Sequence, residues 1–171
     1  NNSKVAGLSK TMTAMGWVYS DQTPAGGLFY NNNACGTGFA LVVHSAAKGY
    51  FKLGGCPGYD LPGKTSLSSG AWHHVAGTYD GTRMALYVDG KLDATLDASN
   101  ALVPSSHPVS IGANDTLDSS WQNGKLDDLL IFNRALSPDE IATYYASKAP
   151  YGTQYAYGAQ ADFDDVRVVE T

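Results

Sequence analysis

The residues best suited to chemistry cluster in one stretch. Ala113-Asn114-Asp115-Thr116-Leu117-Asp118 brings the oxygen-bearing side chains of Asn114, Asp115 and Asp118 close together in the chain. Hard cations are held by several such oxygens, mixing carboxylates with amide or backbone carbonyls. These three, with Asp60 as a distant partner, are therefore the candidate metal ligands, and calcium is the cofactor to expect. The competing reading is that Asn, Asp and Thr simply turn the chain by bonding to their own backbone. Immediately downstream, Ser120-Trp121-Gln122-Asn123 pairs an aromatic ring with amides, the combination that stacks on a sugar and bonds its hydroxyls. Trp121, Gln122 and Asn123 are candidate ligand-binding residues, joined by Tyr59 beside Asp60. A Trp lid packed over one end of the fold is the alternative for Trp121.

Catalytic readings find less support. Glycoside hydrolysis commonly needs a pair of carboxylates flanking the bond, yet the chain has only Glu140 and Glu170 as glutamates. Glu140 is read as part of a helix cap, and Glu170 stands next to the last residue. Asp127 and Asp128 are adjacent, so in a strand they point to opposite faces. Serine-type catalysis needs Ser, His and an acid in hydrogen-bond reach. His73 and His74 alternate faces of a strand, where satisfied hydrogen bonds are the expectation, and no Gly-x-Ser-x-Gly elbow is present. No catalytic residue is assigned, and the chain is expected not to be an enzyme. Cys35 and Cys56 sit in Gly-rich settings and read as a loop-closing disulfide of an oxidising compartment, with two free thiols as the alternative.

The elements that must position these residues are strands. Hydrophobic residues make up 43% of the 171 and charged ones only 16%, with 19 Gly and 11 Tyr. That balance favours short strands and turns over helices. The net charge of −5 comes with scattered Lys and Arg, which argues against nucleic acid as a partner. No apolar run reaches the ~18 residues of a membrane helix, so no membrane insertion is expected. Strands are read at Thr11 to Tyr19, Leu28 to Tyr30, Phe39 to His44 and Tyr50 to Leu53, with Lys48-Gly49 as a hairpin turn. Trp72 to Tyr79, Arg83 to Val88 and Lys91 to Leu96 follow as a meander, because Asp80-Gly81 and Asp89-Gly90 are strong hairpin signals. Val109 to Gly112 and Gly124 to Asn133 complete the series. Trp17 and Trp72, both in strands, are expected in the core. Ser137 and Glu140 form a capping box around Pro138, which predicts one short helix near 138–147, with Ile141, Tyr144 and Tyr145 as its buried stripe. Residues 150–160 read as a linker-like segment and 161–171 as a C-terminal strand, leaving 1–149 as the main domain.

The motifs in order carry a resemblance. Trp72-His73-His74-Val75-Ala76-Gly77-Thr78-Tyr79, Leu86-Tyr87-Val88-Asp89-Gly90, Ile111-Gly112, Gly124-Lys125-Leu126-Asp127-Asp128 and Asn133-Arg134-Ala135-Leu136-Ser137 with Glu140-Ile141 resemble the laminin G-like and pentraxin superfamily over residues 10 to 146. The resemblance implies an all-β, concanavalin A-like jelly-roll sandwich of two antiparallel sheets. It implies a non-catalytic recognition module, secreted or on a cell surface of bacterial type, binding a glycan or surface glycoprotein with calcium assistance. Three departures stand out. The pentraxin core disulfide positions match Met15 and Ala76, so that bridge is absent. The Asp-Asn pair of the calcium cradle is replaced by Gly36-Thr37-Gly38. The strand that should precede Thr11 is missing, which suggests that Asp162 to Val169 supplies it, within the chain or to another copy. Assembly through that C-terminal strand, as a structural or adhesive subunit, is the alternative function.

Overall fold

The computed structural model describes residues 8, 10–21, 26–31, 37–44, 46–54, 58–105, 107–112 and 124–147, and the backbone of 166–169. The expected sites at Asn114, Asp115, Asp118, Trp121, Gln122, Asn123, Cys35 and Cys56, and the 150–160 linker, lie outside the described residues.

Among the described residues, eleven strands and one helix follow in chain order: β1 Met12–Tyr19, β2 Gly26–Tyr30, β3 Phe39–His44, β4 Lys48–Leu53, β5 Tyr59–Ser66, β6 Trp72–Tyr79, β7 Arg83–Val88, β8 Lys91–Asp97, β9 Ser110–Ile111, β10 Lys125–Phe132, α1 Pro138–Ser147 and β11 Val166–Val169. A six-stranded sheet runs β11-β10-β1-β6-β7-β8, and a five-stranded sheet runs β5-β4-β3-β2-β9. All pairings are antiparallel except β10 with β11, which is parallel. The tail strand lies beside β10 of its own chain, at the edge of the six-stranded sheet.

The β6–β7–β8 meander forms as the Asp-Gly signals require. Asp89 and Gly90 both take positive φ, 48° and 73°, as a tight right-twisted hairpin demands. Two sequence readings need correction. Lys48-Gly49 lies inside β4, and the turn falls earlier, where Ala47 adopts φ 55°. β5 carries no strand signal in the sequence, because Pro62 and Gly63 mark a poor strand. It survives as an edge, paired only to β4, where a missing N–H costs no ladder bond.

Alternation along β1 and β6 decides the layers. Met12, Ala14 and Val18 face the five-stranded sheet, with Val75 and Tyr79, in the main core. The two sheets interlock there through glycines. A Cβ on Gly77 would sit 2.6 Å from the ring of Phe51 in β4, and one on Gly49 would sit 3.3 Å from Val75 in β6. The Tyr79 hydroxyl fastens the strand's end: it lies 2.8 Å from the carbonyls of Gly81 and Ala98 and accepts the Ala101 N–H at 2.8 Å. At the free edges, Asp93 of β8 accepts the backbone N–H groups of Lys64 and Thr65 and the Thr65 hydroxyl from β5, at 2.7 to 3.0 Å.

The opposite side of the six-stranded sheet is also apolar. Met15, Ala76, Ala85, Tyr87 and Leu130 form a second buried layer with Leu136 and Ile141. Helix α1 covers it. The predicted capping box is present and reciprocal: Glu140 N–H donates to Ser137 Oγ at 3.2 Å, and Ser137 N–H donates to Glu140 Oε2 at 2.8 Å. Met15 and Ala76 stand directly opposite one another in register, both fully buried.

Phe51 is buried completely, so Gly77→Ala forces overpacking that should cost about 1–3 kcal/mol. A thermal melt should show a drop of several degrees, and an unchanged melt would contradict this interlock.

Candidate functional site

Among the described residues, α1 lies on the six-stranded sheet and no helix covers the outer face of the five-stranded one. Alternation sends Phe39, Leu41, Val43, Phe51, Leu53 and Leu61 inward to the core. The outward positions form cross-strand rows. One row is Tyr30, Ala40, Lys52 and Asp60; the next holds Val42, Tyr50 and Pro62; the third holds His44, Lys48 and Ser66. Tyr30, Val42, Lys48, Tyr50 and Lys52 are half-exposed, and His44, Asp60, Pro62 and Ser66 are exposed.

Tyr50 occupies the middle. Its ring lies 5.8 Å from that of His44, tilted by 33°. Partial burial, with the negative charge and hydrogen bond of Asp60, pushes its hydroxyl up to about 12. It therefore stays a neutral phenol able to donate. Asp60 also pairs with Lys52 Nζ at 3.6 Å. This face joins an aromatic ring, a carboxylate and ammonium groups, which can stack a ring and bond hydroxyls. Tyr59, next in sequence, is 37% exposed at the start of β5.

A second aromatic pair lies at the end of the sandwich. Tyr19 and Trp72 rings are 5.5 Å apart at 48°, and Lys125 Nζ lies 5.3 Å from the Tyr19 ring centre. The Tyr19 hydroxyl donates to Asp21 at 2.6 Å, and this bond to a carboxylate raises its pKa. Trp72 is half-exposed, contrary to the expectation of a core position. It sits on the same face as His74 but at the very start of β6. Asn114, Asp115, Asp118 and Trp121 to Asn123 fall in the chain between Gly112 and Gly124, and a Cβ on Gly124 would overlap the Tyr19 carbonyl oxygen. Asp60 lies on β5, at the opposite edge of the five-stranded sheet from β9, across four strand spacings or ~19 Å. Among the described residues, no group of three or more His, Cys, Asp or Glu is placed to hold a metal ion. Nor is any helix among them long and apolar enough to cross a membrane.

The adjacent histidines fall into opposite environments. His73 is linked on both sides: Nδ1 lies 2.9 Å from Asp89 Oδ2, and Nε2 lies 2.9 Å from Ser68 Oγ and accepts the Ser68 N–H at 3.0 Å. The obligate backbone donor at Nε2 places the proton of the neutral ring on Nδ1, facing Asp89. Ser68 and Asp89 lie far apart in the chain from one another, so sequence spacing gave no sign of this cluster. The bond order matches that which activates a serine nucleophile, but the Ser68 N–H shares the lone pair. The cluster ties the β5–β6 loop to the β7–β8 turn. Its hydrogen bond to Asp89 raises the His73 pKa. Burial alone would raise Asp89, yet the bonds from His73 and the His74 N–H outweigh it and hold the carboxyl low.

His74 departs from the expectation of satisfied hydrogen bonds. It is fully buried, and neither ring nitrogen has a partner. It sits 5.3 Å from Trp17, 5.8 Å from Tyr144 and 6.2 Å from Tyr145. Burial lowers its pKa to about 4. Trp17 is buried as expected, but beneath α1, where Tyr145 stacks on it at 5.4 Å and 24°. Glu140 is consumed by the cap and by Arg134, at 2.8 and 3.0 Å.

The chain belongs to the concanavalin A-like lectin/glucanases superfamily, whose laminin G model matches residues 1–142. The human adhesion G-protein coupled receptor D1 is 32% identical over 80 residues, 44% of this chain and 9% of the receptor, so the chain spans a small part of that protein. The CBM40 domain of a Ruminococcus gnavus IT-sialidase, bound to α2,3-sialyllactose, superposes with a TM-score of 0.68 at 19% identity, covering 84% of this chain and 86% of that one. A heptameric SAP-like pentraxin from Limulus polyphemus gives 0.58 at 21% identity, covering 80% and 70%.

The two histidines predict opposite pH effects. Below pH 6.5 the unfolded chain takes up a proton that buried His74 refuses until about pH 4. Stability should therefore fall across that window by about 1.4 kcal/mol per unit. His74→Leu should flatten this acid limb in melts taken from pH 7 to 4. His73 acts in the other direction. Its raised pKa adds stability that is complete below pH 6.5 and is lost as pH rises through the folded value. The deficit of His73→Gln relative to the parent chain should therefore shrink above that point; a pH-independent deficit would sink the linkage.

Proposed function

We propose that this domain is a non-catalytic carbohydrate-recognition module, with the outer face of the five-stranded sheet as its binding surface. The single observation behind this is Tyr50, a half-exposed ring on the outer face with Lys48 and Lys52 along its own strand and Asp60 and His44 on the strands beside it. A saccharide ring stacks on the phenol, and the flanking groups bond its hydroxyls. Membership of the concanavalin A-like lectin/glucanases superfamily supports carbohydrate recognition, as does the sialyllactose carried by the CBM40 structure. We place the module outside the cell, on a glycan or surface glycoprotein, in line with its similarity to an adhesion receptor.

Tyr50→Ala should weaken saccharide binding at least tenfold in titration calorimetry while the melt stays near that of the parent chain. Tyr50→Phe keeps the ring and should retain most of the affinity. Equal binding by parent and alanine variant would move the site elsewhere.

A second reading is favoured by the Tyr19–Trp72 pair. In it, the neighbouring segment supplies Asn114, Asp115 and Asp118 to calcium and Trp121, Gln122 and Asn123 to the sugar, and Asp60 remains with the sheet face. Millimolar calcium should then raise the melting temperature by mass action, and Asp115→Ala should abolish the rise. No shift with calcium or chelator would remove that segment as a metal site. Self-association through the C-terminal strand would require β11 to leave β10, with which it pairs in the chain.

A further inference from the structure

Charge is unevenly spread on the open face, and this sets which saccharides it suits. The protein is acidic overall, at −5. Along β4, however, alternation lines up Lys48, Tyr50 and Lys52 on one side of the strand, with each ammonium-bearing residue ~6.6 Å along the strand from the ring-bearing one. The two lysines are not equivalent. Lys52 is neutralised by Asp60 at 3.6 Å. Lys48 stands across from His44 on β3 and Ser66 on β5. Neither neighbour is a carboxylate, and Lys48 has no ion pair among the described residues. The His44 ring leans on Tyr50 at 5.8 Å, so the ring and the unpaired ammonium border the same patch. A lone surface ammonium gains little from a free anion in water. An anion carried on a sugar already stacked on Tyr50 is different, because the stack holds it in place and the ion pair then adds a charge-assisted hydrogen bond.

We infer that this face selects acidic saccharides, bearing a carboxylate or a sulfate ester, with Lys48 as the cation that receives the charge. This rests on the proposed binding face at Tyr50. A neutral sugar gains the stack alone; an acidic one gains the stack and the Lys48 contact.

The test uses the whole chain on an array of neutral, carboxylate-bearing and sulfated oligosaccharides, followed by calorimetry on the strongest ligand of each class. Acidic members should dominate, and their binding should weaken as sodium chloride rises from about 0.05 to 0.5 M, because salt screens exposed pairs. Lys48→Gln should lose about tenfold in affinity for the acidic ligand with an unchanged melt, whereas Lys48→Arg should keep it. The acidic arm that responds to Lys48→Gln identifies carboxylate or sulfate as the group received. Neutral ligands binding as well as acidic ones, while Tyr50→Ala still abolishes both, would overturn the selectivity and leave the binding face standing. Acidic binding unaffected by Lys48→Gln would overturn the role of Lys48. A blank array in every class would overturn the binding face itself, and the selectivity with it.

Discussion

Trp17 and His74 point away from the space between the two sheets, yet both are buried. That arrangement follows from one constraint: β1 and β6 bury side chains on both faces. A strand whose two sides both carry large apolar groups has to be covered on both sides. One side is met by the five-stranded sheet, through Phe51 against Gly77 and Val75 against Gly49. The other is met by α1, which lays Ile141 on Met15, Ala76 and Leu130 and stacks Tyr145 on Trp17. The capping box at Ser137 and Glu140, reinforced by Arg134, fixes where that helix begins. Had α1 docked elsewhere, the second apolar layer would face water.

The position of the proposed binding surface depends on this asymmetry. Once the helix is committed to the six-stranded sheet, no described helix covers the outward rows of β3, β4 and β5, where Ala40 is buried but His44, Asp60, Pro62 and Ser66 are exposed. Those rows are not the random polar coat of a surface sheet. Tyr50 stands among Val42, Pro62 and His44, with Lys48 and Lys52 on either side along its own strand. The sandwich thus supplies a rigid platform, and rigid strands hold binding groups more closely than loops do.

His73 and His74 show how a fold separates neighbours. One peptide bond apart, they lie in surroundings that move their pKa values in opposite directions. His73 reaches Asp89 and Ser68 at the edge and is raised. His74 is enclosed by Trp17, Tyr144 and Tyr145 without a hydrogen-bond partner for its ring, and falls to about 4. Leaving two ring nitrogens unpaired in the interior is unfavourable, so the aromatic packing around His74 has to compensate. Asp89 couples the pair, since one of its oxygens takes the His73 ring and the other the His74 N–H.

Local signals were enough for much of the fold. The Asp-Gly turns, the alternation in β1 and β6, and the Ser137-Pro138-Glu140 cap each act over a few residues, so the meander, the strand series and the helix start could all be read directly. The serial motifs fixed the superfamily for the same reason. What the chain could not disclose was which distant residues meet. Ser68, His73 and Asp89 come together only because β6 and β7 pair in one register and the β5–β6 loop folds back on them. Tyr50 becomes central only because β3 and β5 flank β4, and β5 was hidden by Pro62 and Gly63 until its place at an edge made them tolerable. Trp17 and Trp72 looked alike as strand tryptophans. The docking of α1 buried the first, and the strand's end left the second half-exposed, because burial is a property of the assembled layers and not of the strand that carries the side chain.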